Sequence, residues 1–90
     1  MDRFSLEILE RTVLMAIEAM APDENPRIVE CAVTILDYVA LPQVAAEADL
    51  YAALVELADI ARANGQYLIS ARLAPIAREL GGTSPNSNAA

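Results

Sequence analysis

Histidine, lysine and tryptophan are missing from this chain, and each absence removes a class of chemistry. Without an imidazole or a lysine amine there is no ordinary base near neutral pH, no Schiff-base nucleophile and no lysine to cradle a phosphate. The three glycines, Gly65, Gly81 and Gly82, are too scattered for a dinucleotide or phosphate loop. The single cysteine, Cys31, cannot close an internal disulfide, which fits a reducing cytoplasm. Acids interrupt every apolar run well short of the roughly 18 residues of a membrane span. Met1-Asp2-Arg3-Phe4 has no basic region ahead of an apolar core, so no secretory signal is expected. Glu30 with Asp37 and Glu56 with Asp59 share helix faces. Neither a calcium loop nor the histidine of a di-iron bundle accompanies them. The expectation is a chain that is not an enzyme and that carries no cofactor and no metal.

What is present is aliphatic. Hydrophobic residues make up 56% of the 90 positions, eighteen of them alanine, against 21% charged. A chain this short forms one domain and buries only about 60 to 65% of its unfolded surface. Some apolar surface is therefore expected to stay wet in a lone subunit, which argues for a homodimer or a bound protein partner. The net charge of −7 argues against non-specific attraction to nucleic acid or anionic lipid. Nine acids stand against Arg27 alone over residues 18–59, whereas residues 60–80 carry Arg62, Arg72 and Arg78 against Glu79. The acidic middle is suited to a basic or amphipathic protein segment, including one from a second copy, or serves to keep an alanine-rich surface soluble.

Apolar spacing predicts helices throughout. Leu6, Leu9, Val13, Ile17 and Met20 form the stripe of a first helix over about 5–20, with Ser5 or Asp2 as its cap. Arg3, Glu7, Glu10, Arg11 and Glu18 fall on the far side with Leu14 in their midst. Ala21 to Pro26 reads as a loop in which Asn25 caps a second helix over about 26–40, with Pro26 in its first turn. Arg27, Glu30, Thr34 and Asp37 are the only polar residues of that helix. Its broad apolar arc marks it as a central helix or a dimer seam, and Cys31 lies within the arc as a buried thiol.

Pro42 turns the chain and fronts a third helix. That helix ends near Asn64, with its start at Val44 to Asp49 left open between a first turn and a short separate helix capped by Asp49. Leu50, Leu54, Leu57 and Ala61 line it, and Ile69, Leu73, Ile76 and Leu80 line a fourth over about 66–80. Gly65 between them suits the left-handed stop of a helix. Pro75 predicts a kink or break near Ala74, and Gly81-Gly82 end the helix. The three tyrosines, Tyr38, Tyr51 and Tyr67, are expected at packing boundaries with wet hydroxyls. The fold class expected is all-α, a compact four-helix bundle of two helical hairpins over residues 1–81, followed by a flexible polar tail over 82–90.

Over residues 51–82 the second hairpin resembles a tetratricopeptide repeat. Leu54, Leu57 and Ala58 match its first helix, Gly65 and Tyr67 its turn, and Ser70, Ala77 and Leu80 its second helix. Gly82 stands where proline is usual, Ala61 and Ala74 replace aromatics, and Pro75 is foreign to the pattern. The resemblance implies a protein-binding helical surface. Residues 57–74 are also similar to a DNA-binding helix-turn-helix, through Ala61, Gly65, Leu68 and Ile69, with Arg72 and Arg78 on the would-be reading helix. Gln66 and Pro75 depart from that pattern. The function expected is a small cytoplasmic adaptor, regulator or assembly factor that binds protein through Leu14, Met15, Val29, Val33 and Leu36. The alternative is a nucleic-acid regulator, either through the helix-turn-helix or as an acidic DNA mimic.

Overall fold

Asn25 shows how directly local chemistry sets a boundary. In the computed structural model, which describes residues 3–20, 23–41 and 47–82, Asn25 is extended (φ −137°, ψ 94°) and its Oδ1 accepts from the Arg27 amide at 3.1 Å. That bond satisfies an amide the first turn would otherwise orphan, and Pro26 follows where no amide is required. Helix α2 runs Pro26–Ala40, as its caps predict. The other helices described are α1 (Arg3–Ala19), α3 (Glu47–Ala63) and α4 (Tyr67–Gly82), with no strand among the described residues.

The α3–α4 turn is built from Gly65 at φ +77°. The Gln66 amide donates to the Ala61 carbonyl at 2.8 Å and the Gly65 amide to the Arg62 carbonyl at 3.1 Å. These are the paired bonds of a glycine-terminated helix, and the Asn64 side chain adds a third by donating to the Ile60 carbonyl.

Each helix packs chiefly against two others, in the order α1, α2, α3, α4 and back to α1, with α3–α4 the most extensive of these four contacts and α1–α4 the smallest. The ring closes on a core in which Leu9, Val13, Ile28, Ile35, Leu50, Leu54, Leu57, Ile69 and Leu73 are all but fully buried. Each such side chain contributes roughly 1.5–3 kcal/mol relative to exposure. The expected all-α bundle of two hairpins is the fold observed. Because the helices form a ring, α2 is no more central than its neighbours.

Several local expectations are corrected. Ser5 lies inside α1 and is not its cap, because α1 already includes Arg3. Asp49 lies inside α3, two residues past Glu47, and so does not cap a separate helix. α4 extends past Leu80 to include Gly81 and Gly82, so Gly82 is helical and is not the first residue of the expected tail. Pro75 does not break α4; at 100° per residue it sits on the side away from Ile69, Leu73 and Ala77, with Ala71 also exposed. The Ala71 carbonyl deprived of a donor therefore faces water, which can supply one. Tyr38 is 4% exposed and belongs to the core, whereas Tyr51 and Tyr67 are exposed. Asp2, Pro22, the Pro42 start of helix three, Val44 to Ala46 and residues 83–90 of the expected tail lie outside the described residues.

Candidate protein-interaction surface

On the α1–α2 side, Val39 near the end of α2 lies beside Leu6 and Glu10 near the start of α1. The two helices are therefore antiparallel, and the α1 flank bearing Leu6 and Glu10 turns toward α2. Leu14 lies on that flank one turn beyond Glu10, level with the middle of α2. Residues 29, 33 and 36 occupy one row on α2, and that row is on the side of α2 away from the α3 contact made by Arg27. Leu14, Val29 and Val33 are 48%, 45% and 52% exposed, while Leu36 is half-buried against the core at the foot of the row. The structure thus brings four of the five expected contact residues to one seam. Met15 is placed elsewhere. Its direction on α1 is about 100° from that of Leu14, on the flank that turns toward α4, and it packs on the core.

Acids predominate around this seam. Glu7, Glu10 and Glu18 on α1 and Asp37 on α2 are exposed, as are two cations of α1, Arg11 on its outward side and Arg3, which lines the seam with Leu6, Glu7, Glu10 and Val39. The face is an apolar ridge in a surround of net negative charge.

On the other side of α2, Arg27 fastens α2 to α3. Its Nε donates to Glu56 Oε2 at 2.6 Å, its Nη2 donates to Glu56 Oε1, and its Nη1 donates to Glu30 Oε1 at 2.8 Å. The forked geometry matches a carboxylate. The hydrogen bond and charge of Arg27 hold the Glu56 carboxyl below its ordinary range, and Glu56 in turn raises the Arg27 guanidinium above its own. A wedge of about 250 Å³ opens beside this pair, lined by Cys31, Thr34 and Asp49 among others. Burial, reinforced by the Glu56 charge, pushes the Cys31 thiol up to about 11, so it is not a nucleophile near neutral pH. Arg27 is held by two carboxylates and Thr34 Oγ1 donates to the Glu30 carbonyl, so the cation and the hydroxyl of the wedge are both engaged. No group of three or more metal-ligating side chains occurs among the described residues.

A third feature, which sequence reasoning missed, is a groove of about 280 Å³ between α3 and α4. Tyr51 and Val55 stand along one wall and Ser70, Ala74 and Ala77 along the other, with Ala58 between. The groove is lined from Tyr51 to Arg62 on α3 and from Ser70 to Arg78 on α4, so the two helices stay close over most of their length. A helix-turn-helix instead crosses its helices steeply, touching near the turn. The i, i+4 pair Tyr51 and Val55 opposite small residues at 70, 74 and 77 was the available signal.

No helix among the described residues is long and apolar enough to cross a membrane. Comparison with family models, curated proteins and solved structures finds no match.

Proposed function

We propose that this chain is a protein–protein interaction module of the cytoplasm, an adaptor, regulator or assembly factor that works by docking and not by catalysis. The observation that carries the reading is the α1–α2 ridge, where Leu14, Val29 and Val33 are each about half exposed within one seam of a bundle whose core is otherwise closed. Contiguous apolar side chains rimmed by charge favour a partner surface over water. The shortage of catalytic groups and the repeat-like hairpin support the same reading. The side-by-side alignment of α3 and α4 weighs against the nucleic-acid alternative.

Co-purification from the native cell, with the mass of the complex measured, is the direct test. Leu14→Asp and Val33→Asp place charge on the ridge without entering the core, so both variants are expected to keep the parent's helicity and melting temperature while losing the partner. Retention of the same complex by both variants would overturn the assignment of this face.

A further inference from the structure

The ridge on α1–α2 and the groove on α3–α4 differ in shape and in electrostatic sign. Exposed acids edge the ridge at Glu7, Glu10, Glu18 and Asp37. The groove has Arg62 near the turn and Arg78 toward its far end. Arg62 is engaged by Asp59 at 2.9 Å, while Arg78 makes no ion pair among the described residues. One wall is Tyr51 and Val55, each exposed, and the other is the small residues Ser70, Ala74 and Ala77, with Ala58 between. A groove with this lining admits an aliphatic ridge, and its unpaired arginine favours acids at the ridge's edge.

We infer that the α1–α2 ridge of one copy docks in the α3–α4 groove of a second copy, so that copies join head to tail. The inference rests on the proposed interaction role of the ridge and names its partner. Docking the ridge on itself about a two-fold axis would set a rim of four acids, Glu7, Glu10, Glu18 and Asp37, and two arginines, Arg3 and Arg11, against an identical rim of the same net negative charge, and net like charge brought together across an interface is costly. Ridge-to-groove docking sets them instead against Arg78, which has no ion pair among the described residues, beside the Arg62–Asp59 pair. Two helices of 15 to 17 residues span about 25 Å by 20 Å, which limits the contact to roughly 500 Å² per copy. That is the size of a weak, concentration-dependent association. A head-to-tail contact uses different patches on its two sides, so it leaves a free ridge at one end and a free groove at the other unless a ring closes.

The test is sedimentation velocity on the parent chain, on Val33→Glu in the ridge, on Val55→Glu in the groove, and on an equimolar mixture of the two variants. Both substitutions fall at exposed positions, and Arg78→Glu is a second groove variant that removes charge without touching apolar contacts. The expected parent behaviour is an average mass that grows with concentration past that of a dimer and falls as salt is raised from about 0.05 M to about 0.5 M. Each variant alone is expected to sediment as a 9.6 kDa monomer, with at least tenfold weaker association. Their mixture is expected to form a capped one-to-one dimer, because one intact ridge then meets one intact groove. If Val33→Glu abolishes assembly while Val55→Glu and Arg78→Glu leave a dimer, the head-to-tail contact is wrong and the ridge docks on itself. If the parent is monomeric at every concentration, the second copy is wrong as partner, and the co-purification test decides separately whether the ridge binds another protein.

Discussion

Replacing Thr12 with valine is expected to stabilise this bundle, and the structure supplies the size of the effect. Thr12 is fully buried on α1, the helix that also buries Leu9, Val13 and Ala16, and its Oγ1 has no hydrogen-bond partner among the described residues. Its direction on α1 is the flank away from α2, which is the side that meets α4. A buried hydroxyl without a partner carries a desolvation penalty of about 1–3 kcal/mol. Valine keeps the β-branched shape and replaces the hydroxyl by a methyl group, so it removes the penalty and opens no cavity. The expected gain is about 1–2 kcal/mol, with the denaturant slope unchanged because the surface exposed on unfolding is nearly the same. For a domain of this size that corresponds to a rise in melting temperature of about 4–15 °C. Urea and thermal unfolding followed by far-UV circular dichroism measure both. Thr12→Ser is the control, since it keeps the hydroxyl, loses the methyl group and should be destabilised. An unchanged or lowered stability for Thr12→Val would show that the hydroxyl is satisfied in solution, refuting the reasoning.

Three further outcomes are expected. Glu56 has a folded-state pKa lowered by Arg27, so its stabilising contribution is complete above the ordinary carboxylate pKa and is lost as pH falls through the lowered value. Stability measured from about pH 6 to about pH 3 should therefore drop less steeply in Glu56→Gln than in the parent, and equal slopes would remove the ion pair from the account of acid sensitivity. Cys31, raised from 9.0 to about 11, holds about a hundredfold less thiolate at neutral pH than an unperturbed thiol. A disulfide reagent should label it in the native protein at least a hundredfold more slowly than in the urea-unfolded chain, and equal rates would contradict its burial. At Gly65 an added Cβ meets nothing within 4 Å, so Gly65→Ala costs only the left-handed backbone, about 1–2 kcal/mol. Gly65→Asn should cost less, and equal denaturation midpoints for all three chains would refute the turn geometry.

Features encoded by one or two adjacent residues were the legible ones. Asn25-Pro26 and Gly65 announced a helix start and a helix stop because capping depends on a few neighbouring backbone groups, and the leucine stripes of α3 and α4 announced their buried sides through spacing alone. Features that depend on the orientation of a helix in the bundle were not legible. Pro75 reads as a breaker in isolation and is tolerated because its side of α4 faces water. Met15 sits next to Leu14 in sequence yet points about 100° away, so adjacency misplaced it. The Arg27–Glu56 fork joins residues 29 apart, and no local pattern marks it. Thr12 interrupts an apolar stripe without any sequence sign that its hydroxyl would be left unmatched.

The circular order of the helices also bears on how the chain reaches this structure. Three of the four principal packing seams join helices consecutive along the backbone, and only the smallest of these four, between α1 and α4, unites the two ends. Most native pairings thus require closing short loops, whose entropic cost is small, and low contact order of this kind accompanies folding in microseconds to milliseconds. The final closure of α1 onto α4 is the one step that must span the whole molecule, which makes it the natural place for the first fraying detected by amide exchange.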